Sequence, residues 1–256
     1  MLFMLFKMKL SRNMAFRFNF FGAFFVDGSL FLLQLLTFSA IYANAGSIGG
    51  FSQGEMTIFI GTFSLINSLN MIIFFFGVNP IPEKILNGDL DLYLTKPMNP
   101  LLRLTFESVD IGSLPLLPMS ILIILSGVKE LSVQPDFLQA LLYALLVLLM
   151  TLLWYDIVIL VRVVPFYFPS AKRIDRIEEL LALCFKVPGT LFRGMWKVLF
   201  YFIVPYGIMA TVPTQVLSGM LSAGGLLYAV FIVALFTFLA LFAWKKGLKR
   251  YSSASS

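Results

Sequence analysis

LQALLYALLVLLMTLLWYDIVILVRVV, residues 138–164, carries one acid, Asp156, and one base, Arg162, in an otherwise leucine-rich run. A helix crosses the hydrocarbon of a bilayer with about 20 mostly apolar residues, so this stretch is long enough to span. A transmembrane barrel would need short strands of alternating polarity, and the leucines here do not alternate. The whole chain agrees: 59% of its 256 residues are hydrophobic and 12% charged, against about 25% charged in a soluble domain. The mean hydropathy is +0.92.

Five more apolar runs lie near 22–45, 56–78, 110–127 (with Pro115 and Pro118), 196–213 and 223–243. The fold expected is an all-α integral membrane protein with six transmembrane helices, residues 1–256 forming one transmembrane domain. Basic residues set its orientation. With the N-terminus inside, 18 of the 19 lysines and arginines are cytoplasmic, and only Lys129 lies outside. Cytoplasmic loops are the usual place for such an excess, so both termini are expected in the cytoplasm. The outer loops, 46–54, 128–136 and 214–222, are short. The inner ones, 79–109 and 165–195, are longer, and any partner is expected there.

The pI near 9.4 reads as this inner-face bias, and no nucleic-acid partner is expected. The N-terminal MLFMLFKMKLSRNMAFRF lacks the order of a cleaved signal. Its mixed aromatic and basic residues suit an interfacial segment, with Asp27-Gly28-Ser29 as the corner into the first span. There is no histidine and only one cysteine, Cys184. The common zinc sets and the histidine-based nucleophile systems are therefore missing. No G-x-x-x-x-G-K-[ST] loop occurs, and the two LSG triplets, 125–127 and 217–219, do not continue as LSGGQ. The chain is expected not to be an enzyme, with no cofactor of its own.

Several polar positions interrupt the spans. Ser64, Asn67, Ser68 and Met71 share one helix face, as do Gln34 and Thr37. They read either as a substrate pathway or as interhelical hydrogen bonds, each worth about 0.6 kcal/mol. Asp156 and Arg162 sit near the inner end of the fourth span, six residues apart, a poor helical pairing. Residues 170–187 pattern as an amphipathic helix with Ile174, Ile177, Leu181 and Cys184 in one stripe, ended by Pro188-Gly189. It suits the inner leaflet or a cytoplasmic partner. Pro205, Gly207 and Pro213 break the fifth span, and PTQVLSGMLSAGG at 213–225 suits a re-entrant dip before the last one.

The loop NPIPEKILNGDLDLYLTKPMNPLLRL, 79–104, is punctuated rather than disordered. Pro82 suits the start of a short helix with Glu83 in its first turn. Gly88 is a natural stop, Asp89 a cap, and Pro97 and Pro100 limit continuation. Leu90, Leu92 and Leu94 alternate, while Leu90, Tyr93 and Leu94 share a helical face, so the segment type stays open. The loop reads as a rigid knob.

Ile85, Gly88, Leu90, Asp91, Leu94, Lys96, Pro97, Asn99 and Pro100 fit I-x-x-G-x-L-D-x-x-L-x-[KR]-P-x-N-P, and here the chain resembles the ABC-2 family of transporter permeases. Three other pieces resemble it in order: IGGFSQGE at 48–55 (Phe51 where tryptophan is usual), VPGTLFRGMWKVLFYFIVPYGIMATVP at 187–213 (Val187 where tyrosine is common) and WKKGLKRYSSASS at 244–256. The resemblance implies an ABC-2 exporter fold and the permease subunit of an ATP-driven exporter in a bacterial inner membrane. Multidrug-efflux-like cargo is implied, and no catalysis in this chain. It implies pairing with itself or a related permease within membrane lipids. It also implies cytoplasmic ATPase subunits that hold ATP and Mg and grip the loop through Pro82, Glu83, Ile85, Gly88, Asp89, Leu90, Asp91, Leu94, Lys96 and Pro97. The rival is an ion- or proton-coupled secondary transporter, which needs ionisable groups at mid-membrane.

Overall fold

The computed structural model describes residues 17–168, 180 and 182–251. They are helical, joined by turns, with one isolated bridge between Ile48 and Phe51. Three helical runs are long and apolar enough to cross a membrane: Gln53–Leu86, Phe137–Phe166 and Ala223–Leu248. A fourth is a bent pair, Gly194–Ile203 and Tyr206–Leu217, whose halves meet at 77°. The other two apolar runs form helices as well, with shorter apolar stretches at Gly28–Tyr42 and Leu116–Lys129.

The first helix, α1, runs unbroken over Arg17–Tyr42. The corner expected at Asp27-Gly28-Ser29 is not there. Glycine costs only about 1 kcal/mol inside a helix, and Gly28 lies against the Met119 side chain, 3.7 Å from where its Cβ would be. The Tyr42 hydroxyl then donates to the Phe51 carbonyl at 2.6 Å, closing the turn that follows α1. Helix α2, Gln53–Asn70, starts from a capping box: the Ser52 hydroxyl accepts from the Glu55 N–H, and the Glu55 carboxylate accepts from the Ser52 N–H. That arrangement satisfies two orphan donors at once. A π-helical turn, Met71–Phe75, and a short piece, Phe76–Val78, prolong α2.

Three short helices build the following loop: α3 (Ile81–Leu86), α4 (Asp91–Leu94) and α5 (Pro100–Phe106). The next apolar helix, α6, is only Leu116–Lys129. The expected start at 110 fails because Asp110 folds the chain there. Its carboxylate accepts from the N–H groups of Gly112 and Ser113 and from the Ser113 hydroxyl. Helix α7, Phe137–Arg162, opens on a second capping box, Asp136 with Gln139.

Among the described residues between α7 and residue 192 are three single 3-10 turns, Val164–Phe166, Leu183–Lys186 and Gly189–Leu191. Most of the amphipathic stripe expected at 170–187 lies outside the described residues. Helix α8, Gly194–Val198, passes into a π-helical turn, Leu199–Ile203, and the run breaks at Val204-Pro205. Helices α9 (Tyr206–Met209) and α10 (Thr211–Leu217) follow. Pro213 sits in the first turn of α10, where its missing N–H costs nothing, and the helix is interrupted just ahead of it at Ala210. Residues 218–222 turn into α11, Ala223–Leu248, capped by Ser222. The bent pair that ends at Leu217 has the shape of a broken span or of a re-entrant loop, and the helical part of the dip expected at 213–225 belongs to its second half.

Helix α7 is the central post. Leu146, Met150 and Leu153 are fully buried on it, and α2, α10 and α11 pack around it. Its opposite face leaves Leu141, Leu145 and Leu148 exposed, as lipid contact requires. Between α2 and α6 the backbones themselves come into contact. A Cβ on Gly61 would lie 2.9 Å from the Ile124 backbone nitrogen, and one on Gly127 would lie 2.7 Å from the Gly54 carbonyl. Small residues that let backbones touch drive helix association in lipid, where apolar burial alone does not.

Candidate functional site

Helix α3 begins as the sequence predicts, with a proline in its first turn and Glu83 beside it. It ends at Gly88, whose φ of 82° is left-handed, a region open to glycine and costly to others. The turn lets the Leu90 N–H reach back to the Lys84 carbonyl at 3.1 Å. Asp89 does not cap: Leu90 holds the N-cap of α4, with no side-chain cap bond. Pro100 does not limit a helix but opens one. Asn99 caps α5, its side chain accepting from the N–H groups of Leu101 and Leu102, and proline fits the first helical position.

Four side chains lock these pieces together. The Lys84 ammonium meets the Glu107 carboxylate at 2.6 Å. The Tyr93 hydroxyl donates to the same carboxylate, 2.7 Å from its nearer oxygen, and Lys84 also donates to that hydroxyl. Arg103 stacks over the Tyr93 ring, 4.8 Å from its centroid, and Lys84 lies over it at 4.4 Å. Burial pulls the Lys84 ammonium down, yet its bonds to Glu107 and Tyr93 outweigh this and hold it above the ordinary value. Burial pushes the Tyr93 phenol up, Lys84 opposes, and Glu107 adds to the rise. Lys84 therefore keeps its charge near neutral pH.

The locked loop is also fastened to the membrane helices. Gly77, at the end of the α2 run, touches the α5 backbone: a Cβ there would lie 2.3 Å from the Leu104 carbonyl. The Thr105 hydroxyl pairs with that of Tyr155 on α7 at 2.8 Å. The Asp110 N–H bonds the Ile72 carbonyl in the π-helical turn. Ile85 and Leu90 are buried inside the loop. Leu92 and Leu94 project from it, 65% and 40% exposed, and Glu83, Asp89, Lys96 and Pro97 are exposed as well. Pro82, Gly88 and Asp91 are half-buried. Of the ten residues named from sequence, then, two form the inside of the knob, five its free surface, and three lie between.

The polar face of α1 and α2 divides. Ser64 bonds Ser120 across to α6 at 2.6 Å, and Ser68 returns to the Ser64 carbonyl of its own helix. Thr37 likewise bonds its own helix at Leu33. These three serve packing. Gln34 instead donates to the Lys186 carbonyl at 3.0 Å, pinning the Leu183–Lys186 turn. Phe185 of that turn wedges edge-on between Phe63 and Trp154. Beside it a cavity of about 190 Å³ is lined by Asn67, Asn70, Met71, Asn79, Arg162 and Lys186, with apolar walls from Phe63, Phe75 and Trp154.

Asp156 is buried and accepts from the Thr237 hydroxyl at 2.5 Å, tying α7 to α11. Arg162, equally buried, lies further along α7 and lines the cavity. Sequence reasoning missed Glu107, Arg103 and Asn70. Asn70 had a signal, three residues after Asn67 on the same face. Glu107 had none, because its partners lie 14 and 23 residues back. Among the described residues no cluster of acids and cysteine is set to hold a metal.

A family model described as ABC-2 family transporter protein matches residues 29–255. A search of curated proteins and one of solved structures found no match.

Proposed function

The chain belongs to the ABC-2 family of transporter proteins, and on that premise we propose that it is the permease of an ATP-driven exporter whose motor is a separate ATPase. The observation that carries the reading is the 81–106 knob. It is cross-braced by Lys84, Tyr93, Arg103 and Glu107, bolted to α2 and α7, and presents Leu92 and Leu94 outward. A surface that must transmit motion has to be stiff and must offer its partner an apolar grip. On this reading six spans place both termini and the knob in the cytoplasm of a bacterial inner membrane. Two permeases, alike or related, stand side by side. ATP and Mg bind the ATPase chains, closure of which pulls the knobs and rocks the permeases between inward- and outward-open states. This chain performs no catalysis.

The test is coexpression with a candidate ABC ATPase. The two copurify, and movement of an amphiphilic dye out of cells or into inverted vesicles requires that ATPase's hydrolysis. Full export without any ATPase overturns the reading. One observation favours a second reading, proton-coupled transport: the buried carboxyl of Asp156 on α7. Asp156→Asn decides it. Under the ATP-driven reading the variant exports independently of the proton gradient, as the parent does.

A further inference from the structure

Residues 244–251, WKKGLKRY, play no part in the function proposed above, yet they fold against the knob. Trp244, Gly247 and Tyr251 stand at i, i+3 and i+7, one face of a helix. The Tyr251 N–H donates to the Gly247 carbonyl at 3.0 Å, which carries the turn past the end of α11. That face closes on Phe166, whose ring meets Trp244 edge-on at 5.7 Å and Tyr251 edge-on at 6.0 Å. Gly247 lies against the same ring: a Cβ there would be 2.4 Å from it. Tyr167 fastens the turn as well, its hydroxyl donating to the Ala243 carbonyl at 3.3 Å and its ring lying under the Arg250 guanidinium at 5.1 Å. Helix α3 of the knob packs on this Val164–Phe166 turn, and Tyr251 reaches α4. Its hydroxyl is shielded from solvent beside Asp91, in electrostatic contact rather than a hydrogen bond of regular geometry. Burial, then the charge of Asp91, push the phenol up, so it keeps its proton toward the acid.

We propose that the end of α11 is a second footing of the knob, with Tyr251 the positioning residue that registers α4 on it. The fastenings at Gly77 and Thr105 act on the α5 half of the knob. Phe166 and Tyr251 act on the α3–α4 half, which carries Leu92 and Leu94. A body held at one footing pivots about it when pulled. Held at two, on different helices, it passes the pull to both, because packed side chains and rigid helices carry the load between sites. The α5 footing loads α2 and α7. The α3–α4 footing loads α11 and the C-terminal end of α7. Helix α11 packs along α7 and is tied to it by Thr237 and Asp156, so the two move as a unit with the knob. That the pull comes from an ATPase rests on the transport reading above; the footing itself does not.

The first arm of the test needs no ATPase: the full chain alone, in detergent, is followed by hydrogen exchange. Tyr251→Ala quickens the amides of 81–95 about tenfold, as expected for one lost edge-on ring contact and its buried area. Those of 101–107 and of 140–155 keep their rate. Tyr251→Phe keeps the ring and restores most of the protection. Gly247→Ala reaches the same end from the other side, by driving the Phe166 ring off its seat, and quickens the same amides. In the second arm, with the ATPase present, Tyr251→Ala lowers transport per ATP severalfold while pull-down and hydrolysis hold, a split that losing the Leu92 and Leu94 grip does not give. Unchanged exchange at 81–95 in both the Tyr251→Ala and Gly247→Ala variants, or equal loosening of every helix, overturns the footing. Quickened exchange with parental transport per ATP overturns the role of Tyr251 in coupling. Export without any ATPase overturns the transport reading instead and leaves the exchange result standing.

Discussion

Glu107→Ala removes the acceptor shared by Lys84 and Tyr93, and the structure sets the size of the effect. The carboxylate takes one bond from an ammonium at 2.6 Å and another from a phenol at 2.7 Å. A bond to a charged group contributes about 1.5–3 kcal/mol when well shielded. Here the Lys84 and Glu107 side chains are 18% and 37% exposed, and solvent screens such pairs toward about 1 kcal/mol. The two bonds together therefore stabilise the loop by about 2 kcal/mol. At about 1.4 kcal/mol per decade, the open population of the loop rises some 30-fold. Hydrogen exchange reads this directly: amides of 84–95 and 101–107 exchange about 30-fold faster, while those of α7 do not change. In the complex with an ATPase, ATP is still hydrolysed but less transport accompanies it. Glu107→Gln, which keeps an acceptor, restores part of both. If exchange in the loop is unchanged, or if every helix loosens equally, the cluster is not the brace described.

Three further outcomes follow from single contacts. Gly127→Val places a Cβ 2.7 Å from the Gly54 carbonyl and 2.8 Å from the Ile58 nitrogen. Backbone cannot swing aside, so the variant loses about 1–3 kcal/mol, seen as a lower melting temperature in detergent. Gly88→Ala must hold φ near 82° at a cost of about 1–2 kcal/mol, so exchange at 84–95 quickens while expression stays normal. Leu92→Ser combined with Leu94→Ser removes the apolar tips of the knob without touching its interior; the chain reaches the membrane at parental level, and pull-down of the ATPase is lost.

Much of the fold was legible because lipid imposes a simple code. Long apolar runs marked the helices, and Gly88 and Pro82 marked the ends of α3, since each acts through its own backbone. The Ser52-x-x-Glu55 box was there to be read and explains part of the IGGFSQGE resemblance. Other features were hidden because their cause is distant in sequence. Nothing local tells that Glu107 returns to Lys84, or that Thr237 covers Asp156. The third span looked longer than α6 because apolar character continues through 111–117, while one carboxylate, Asp110, turns the chain. The Asp27-Gly28-Ser29 corner failed for the opposite reason: a local helix-breaking hint was outweighed by continuous flanking helix and by a neighbour, Met119, that fits against glycine.

The glycine contact of α2 with α6 has a mechanical consequence. The helices run antiparallel, with Gly54 opposite Gly127, Gly61 opposite Ile124 and Ser64 bonded to Ser120. Backbone rests on backbone at these points, with the stiff, branched side chains of Ile58, Ile123 and Ile124 packed beside it, so little lies between the helices to flex and absorb shear. The knob hangs from the same end of both helices. A tug on it loads the pair as one beam of doubled cross-section, about as long as the 18 residues of α2. Displacement at one membrane face then reappears at the other with little lost to bending. Loosening this seam with bulkier residues converts the beam into two rods that slip, and a transporter so altered stalls with its motor intact.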